Sequence, residues 1–332
     1  MEAARNERRT LGMFLTEGFS LMSYASVIEP FRAANILAGK ILYDWRHISI
    51  DGAPVQASTG ASILSDQRIG MPLSCDTLFV FAAGDPAAFG DAATFAWLRR
   101  LARDNVRLAG VSGGPFLLAR AGLLEGYRAT IHWDHRLAFE ESFPSIPLDP
   151  GLYVIDRRRV TCAGGTAALD LAVDLIEREH GNYLASRVGE WFIRTEARGP
   201  DRPQRTSLSE RYGVQDDRVL KALAHMEANV EEPVSRDQLA KVACVSIRQL
   251  ERLFQASISS SISDTYLAIR VSIAQDMLSK TRLPVTSIAL ACGFRSSSHF
   301  SQVIRKQLGK SPSALRAFGG RGNDVAPPQV MR

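Results

Sequence analysis

Cysteine is scarce in this sequence. The four present, Cys75, Cys162, Cys244 and Cys292, are scattered across 332 residues without metal-ligand spacing. No metal site is therefore expected, and the pattern fits reduced thiols in a cytoplasmic protein. Long apolar runs are also missing. Those present, such as Leu78 to Ala83, fall far short of the ~20 residues that span a bilayer. Met1 to Thr10 is polar and lacks an apolar segment, so no secretion signal is expected. No low-complexity tract occurs, and no cofactor-binding pattern stands out. What remains is a soluble globular composition, 45% hydrophobic and 23% charged, in a chain whose length suits two domains.

Net charge is +5, and its location is informative. From Val214 to Gly320 there are 14 Lys and Arg against 9 Asp and Glu, while the rest of the chain balances at 26 against 26. The positive excess sits wholly in the C-terminal third, as a domain that meets a polyanion requires.

Leu11 to Thr16, Arg46 to Ile50, Leu78 to Ala82 and Arg107 to Val111 are short apolar runs that predict strands. Segments with helical spacing lie between them, at Leu21 to Leu37, Ala92 to Ala102 and Pro115 to Ala121. That alternation implies a parallel sheet with helices on both faces, an α/β sandwich of flavodoxin-like type. Leu152 to Ile155 and Val160 to Ala163 predict a hairpin around Arg157 and Arg158, followed by helices over Thr166 to Arg178 and Tyr183 to Arg194. The first domain is thus expected over residues 10–195. Glu196 to Gly213, rich in proline, glycine and arginine, reads as a linker. Residues 214–320 predict an all-α domain, and Arg321 to Arg332 a loose tail.

The helical part repeats itself. Ser246, Leu250, Leu253 and Phe254 recur fifty positions later as Ser296, Phe300, Val303 and Ile304. In each unit a short helix carrying Leu239-Ala240 or Ile288-Ala289 leads through a tight turn to a second helix. That second helix is apolar on one side and polar on the other. This is the layout of a helix-turn-helix, whose second helix offers its polar face to the major groove. A plain helical bundle is the competing reading, which two matches in one basic domain disfavour.

From Val219 to Phe318 the chain resembles the AraC/XylS regulators. The resemblance is densest at Ile288-Ala289, Gly293-Phe294 and Ser298-His299-Phe300-Ser301, and then at Gly309-Lys310-Ser311-Pro312-Ser313 and Arg316. It implies two helix-turn-helix units bridged by a helix and reading adjacent major grooves of double-stranded DNA. The candidate contacts are Ser246, Arg248, Gln249 and Arg252 on one helix. On the other they are Ser296, Ser297, Ser298, His299 and Gln302, with Arg305 and Lys306 on the phosphate backbone. Ser260 and Ser263 stand where the family usually has a glycine and a proline, so the turn closing the first unit is expected to be less rigid.

In the first domain, Gly110-Val111-Ser112-Gly113-Gly114-Pro115 follows a predicted strand and opens a predicted helix. In a hydrolase such an elbow presents a nucleophile beside helix-terminal N–H groups. A serine there needs a base. His132 and His135 are nearby in sequence, with no evident acid to orient them. A tight structural turn, a ligand-contacting turn and a catalytic elbow all remain open from the residues alone.

Residues 11 to about 194 resemble the class I glutamine-amidotransferase-like superfamily, in the GlxA-like form fused to AraC-type regulators. Glu29-Pro30-Phe31-Arg32-Ala33-Ala34-Asn35, Leu117 to Leu124, Ala129-Thr130-Ile131-His132-Trp133 and Gly164 to Asp170 carry it. The resemblance implies that Ser112 stands where the superfamily's enzymes have a nucleophilic cysteine, and that His132 matches their histidine. Ser23 lies near the place of their acidic residue. It further implies a pocket kept and chemistry lost, with Ser112, Gly113, Gly114, His132, Trp133 and Ser23 as effector contacts. Phe19 to Ser23 and Trp133-Asp134-His135 resemble regulators of arginine, carnitine and glycine-betaine catabolism. Their effectors are zwitterionic amines: a carboxylate would suit the elbow's helix terminus and a quaternary ammonium the Trp133 face.

The expectation is a ligand-responsive transcription regulator, more an activator than a repressor, that works with RNA polymerase; a homodimer stays open. An amidase or hydratase bearing a DNA-binding appendage is the rival. A constitutive DNA-binding protein with a structural front domain is a third reading.

Overall fold

The computed structural model describes residues 8–319, so the expected tail Arg321 to Arg332 lies outside the described residues. The chain forms two compact units that meet in sequence between Gln204 and Arg205.

The first unit is built on β1 (Arg9–Leu15), α1 (Leu21–Ala38), β2 (Tyr43–Ser49), β3 (Val55–Gln56), β4 (Ser62–Ile63), β5 (Gln67–Arg68), β6 (Thr77–Ala82), α2 (Ala92–Arg103) and β7 (Arg107–Ser112). It continues with α3 (Gly114–Arg120), α4 (Arg136–Ser142), β8 (Tyr153–Asp156), β9 (Arg159–Cys162), α5 (Ala167–His180) and α6 (Asn182–Trp191). Seven strands form one sheet in the order β5-β2-β1-β6-β7-β9-β8, parallel except where β8 closes antiparallel onto β9. The central order, with the chain stepping out from β1 to β2 and then back across to β6, β7 and β9, is the flavodoxin-like one.

Both faces of the sheet are buried, which is why the strands read as apolar runs rather than alternating ones. Side chains still alternate between two cores. Met13, Phe79, Phe81, Ala109 and Val111 face α1, α5 and α6. Phe14, Leu78, Val80 and Leu108 face the opposite core, which takes Trp97 and Leu98 from α2, Phe116 from α3 and Phe139 from α4. Helix ends follow sequence signals: Ser20 caps α1 by accepting from Ser23 N, and Gly39 ends it in a left-handed conformation.

The second unit contains α7 (Leu208–Tyr212), α8 (Asp217–Ala228), α9 (Arg236–Val242), α10 (Ile247–Ile258), α11 (Ile262–Lys280), α12 (Val285–Ala291), α13 (Ser297–Leu308) and α14 (Pro312–Gly319). Val214, Leu223, Met226, Leu239, Leu250 and Phe254 are among the buried residues of its core.

The segment expected as a linker, residues 196–213, is divided between the two units. Its first half lies against the first unit: Arg198 pairs with Asp170, and Leu152 N donates to Pro200 O at 2.7 Å. Its second half forms α7, opened by a reciprocal cap between Ser207 and Glu210 and packed into the second core through Leu208 and Tyr212. Long-range partners, not local composition, order both halves.

Candidate effector pocket and nucleic-acid interface

The strand-to-helix elbow is present. Ser112, the last residue of β7, has φ of +60°, a left-handed conformation that is strained for a residue with a side chain. Tight backbone packing holds it there. Gly113 N donates to Ala82 O at 2.8 Å, and a β-carbon on Gly114 would fall 2.0 Å from Val80 O. The glycines of the motif are thus needed for close approach to β6. Because the Gly113 N–H is used internally, and α3 is only seven residues long, the helix end offers an anion less than the sequence suggested.

Three segments converge on Ser112. A β-carbon on Gly164 would lie 2.8 Å from Ser112 Cβ and 2.7 Å from Ser23 Oγ, so α1 and the loop after β9 meet at this point. Ser23 is 1% exposed; its hydroxyl donates to Ser20 Oγ at 3.1 Å and accepts from Gly165 N at 2.8 Å. It braces the elbow from behind and presents no free group to it. His132 N donates to Ser112 O at 3.4 Å, placing the third segment beside the elbow. The His132 ring accepts at Nδ1 from Asp134 N and lies 5.4 Å from the Trp133 ring and 5.8 Å from His135. Trp133 is 41% exposed.

The Ser112 hydroxyl holds no hydrogen bond among the described residues. Cys162 lies under the loop, accepting from Gly164 N at 3.4 Å, and burial pushes its thiol up to about 12. It stays protonated at neutral pH and does not replace the nucleophile that Ser112 lacks. A separate cavity of about 870 Å³ opens at the N-terminal ends of the strands, lined by Arg9, Lys40, Arg107, Arg178 and Glu179 among others. Arg9, Arg107 and Arg178 already hold Asp76, Glu179 and Asp174, so this is an ion-paired belt.

In the second unit, two helix pairs have the geometry that the repeat implied. Val245 N closes on Ala240 O at 3.0 Å and Phe294 N on Ala289 O at 2.8 Å, with Cys244 and Gly293 in the left-handed region between them. The matching positions in the first helices and turns are therefore 49 apart, whereas the second helices keep the fifty-residue offset. One extra residue, Arg295, fills the second turn. Ser246 and Ser296 cap α10 and α13 through Gln249 N and His299 N. Arg270, on α11, donates to Cys292 O and Gly293 O at 2.7 and 2.8 Å and lies 4.3 Å over the Phe294 ring. That ties the bridging helix to the second turn.

Comparison with known proteins settles the class. The DJ-1/PfpI family matches residues 10–178 and a helix-turn-helix domain family residues 239–317. The HTH-type transcriptional regulator CdhR of Pseudomonas aeruginosa is 41% identical across 91% of this chain and 90% of its own length. This chain is an AraC-type regulator with a DJ-1/PfpI front domain. The HTH-type transcriptional regulator GlxA of Rhizobium meliloti is 39% identical across 96% of this chain and 98% of its own. The crystal structure of an AraC family transcriptional regulator from Pseudomonas putida is 25% identical, covers 55% of this chain and 99% of that one, and superposes with a TM-score of 0.50.

In this regulator the expected DNA contacts lie on two helix faces. Ser246, Arg248 and Arg252 are exposed and Gln249 half-buried on α10, while Leu250 and Phe254 point into the core. Ser296, Ser297, Ser298, His299, Gln302, Arg305 and Lys306 are exposed around α13, opposite Phe300 and Ile304. The turn at Ser260 is held without the family's glycine: Ser259 takes φ of +56° and Ser261 caps α11 through Asp264 N. Among the described residues no His, Cys, Asp and Glu cluster suited to a metal occurs, and no helix is long and apolar enough to cross a membrane.

Sequence reasoning missed two features of the regulator's front unit. Asp170, 2% exposed, pairs with Arg194 and Arg198 at 2.7 and 2.5 Å. Its place on the apolar face of α5 was the available signal, because a buried carboxylate needs cationic partners. Gln204 is the other. Its side chain is hydrogen-bonded to the segment that carries His132 and Trp133, and nothing local marked it.

Proposed function

We propose that this transcription regulator senses a small molecule at the Ser112 elbow and carries the signal to DNA through α10 and α13. One observation carries the reading: an enzyme-like elbow is kept, at the cost of a left-handed serine, while its hydroxyl is engaged by no base or acid. A strained residue without chemical partners is explained by ligand contact rather than turnover. Ser112 and the rim of His132 and Trp133 form the effector site, with Gly113, Gly114 and Ser23 as its frame. An exposed indole suits a quaternary ammonium, worth ~0.5–2 kcal/mol depending on desolvation. Zwitterionic amines of the betaine, carnitine and amino-acid type are therefore the effector class, and their catabolic genes the targets. The protein acts in the cytoplasm, as an activator engaging RNA polymerase, and is not an enzyme.

A thermal-shift screen of betaines, carnitine and amino acids on the full chain tests this. A true effector at about 100 times its dissociation constant adds ~2.7 kcal/mol of stability. Ser112→Ala should abolish most of that shift and leave DNA binding intact. Multiple turnovers of the bound compound, lost in Ser112→Ala, would instead establish the enzyme.

A further inference from the structure

We infer that residues 194–204 form a strap, latched by Gln204, whose attachment and the conformation of the His132–Trp133 rim are a single equilibrium. The inference rests on the Ser112 elbow being the effector site, and it supplies the route from that site to the DNA-binding unit.

The strap is rooted at one end and latched at the other. At the root, Arg194 and Arg198 grip the buried Asp170 at the start of α5, and Arg198 also donates to Thr166 Oγ1 at 2.9 Å. In the middle, Pro200 O receives Leu152 N at 2.7 Å. The fit there is tight: a β-carbon on Gly151 would fall 2.3 Å from Pro200 O. At the far end the Gln204 amide is fully used. The two N–H groups of Nε2 are shared among Thr130 Oγ1, Ile131 O and Gly151 O at 3.0, 3.0 and 2.9 Å, and Oε1 accepts from Trp133 N at 2.8 Å.

A continuous path follows from these bonds. Ser112 O accepts from His132 N, the next residue is Trp133, and Trp133 N donates to Gln204. A ligand that turns the Trp133 rim must strain or improve the last of these bonds, because an amide side chain with every polar atom engaged has no slack. Sequence alone then transmits the change. Ser207 caps α7, which belongs to the second unit. With the latch closed, three residues, 205–207, join the docked strap to that helix. With it open back to Arg198, nine residues do, and maximal reach rises from about 10 Å to about 30 Å at ~3.3–3.6 Å per residue. Tether length sets the effective concentration at which a linked domain meets its site. The latch is therefore a length switch, and Gln204 is a positioning residue that acts through the Trp133 backbone.

The test uses the full chain without ligand. Gln204→Met keeps the side chain's length and removes its hydrogen bonds. Tryptic cleavage after Arg198 and after Arg205, just beyond the latch, should accelerate at least tenfold, and the Trp133 indole NMR resonance should move. Reciprocally, Trp133→Ala should speed cleavage after Arg205 at least threefold. Unchanged cleavage in Gln204→Met, or a released strap with an unmoved Trp133 resonance, overturns the proposal. Should the variants fail to fold, hydrogen exchange in the wild-type chain decides: Trp133 and Leu152 amides that open together support the latch, and independent opening refutes it. Glycine betaine added in a separate arm keeps the two ideas distinct. Its failure to bind counts against the zwitterion reading alone, whereas the ligand-free arms judge the latch.

Discussion

A β-carbon at Gly293 would lie 2.5 Å from Pro233 Cγ and 2.6 Å from Val230 O, so the turn of the second helix-turn-helix rests on the loop leading into the first. With Arg270 bonded to the same turn, this contact fixes the spacing of the two recognition helices. Gly293→Ala meets both that clash and a φ of +72°. It should destabilise the second unit by ~2–4 kcal/mol. Urea unfolding checks the stability. Affinity for a paired half-site should fall more than affinity for a single one; an equal fall would show that the turn does not set spacing.

Removing the charge of Asp170 leaves two arginines facing a buried amide. Asp170→Asn should cost ~2–3 kcal/mol, less than the full price of a buried pair because Arg198 is 39% exposed. Residues 194–204 should become accessible to protease as stability drops. A variant as stable as wild type, with the segment still protected, would mean that Pro200 and Gln204 hold it without the ion pair.

His47 makes the front unit sensitive to acid. Its ring lies between Tyr24 OH, 2.7 Å from Nε2, and Asp66, 3.3 Å from Nδ1. Burial pushes the Tyr24 phenol up to about 12, so it remains a donor at neutral pH and needs Nε2 unprotonated. Burial lowers the His47 pKa below its usual 6.5, although Asp66 opposes the shift. A histidine that folding keeps neutral contributes stability that is fully present above the unfolded value and is lost as pH falls from there through the lower folded value. The melting temperature of the front unit should therefore decline from pH 7.5 to 5.5. His47→Gln should flatten that decline, and an unaltered profile in the variant would assign it to other groups.

How far the sequence carried this structure depends on the range of the forces involved. Leu78 to Ala82 and Arg107 to Val111 were legible because strands buried on both faces must be apolar throughout. The elbow was legible through its glycines, whose close approach to β6 only glycine permits. Val55–Gln56, Ser62–Ile63 and Gln67–Arg68 are too short to show a period and went unread. α4 was missed for a related reason: seven residues starting from a histidine-rich turn give little periodicity. The order of residues 194–204 was not legible locally because it comes from Asp170, Leu152 and Thr130, each 24 or more residues away from its partner. Ser23 looked like a pocket residue from its position, and only the structure reveals that Gly165 and Ser20 consume its hydroxyl.

The two recognition helices should read one rigid site. Successive major-groove approaches on one DNA face are roughly 10–10.5 base pairs apart. With α11 bonded to the second turn and Gly293 seated on the loop before α9, the helices cannot independently adjust to a different phase. Inserting about half a helical turn between half-sites should therefore remove most of the specific affinity. Side chains should then divide by role. Arg248, exposed in the first turn of α10, is the candidate for guanine, a pairing worth ~1–3 kcal/mol. Arg248→Ala should relax preference at one base pair while barely changing affinity for unrelated DNA. Lys306, exposed in the last turn of α13, faces the backbone role. Lys306→Ala should weaken every sequence alike and lower the slope of log affinity against log salt by about 0.9, the share of one phosphate. Electrophoretic mobility or anisotropy titrations at several salt concentrations separate these outcomes. If the half-turn insertion leaves affinity unchanged, the helices bind as independent modules, and the turn between Ser259 and Ser261, formed without the usual glycine, becomes the place where they flex.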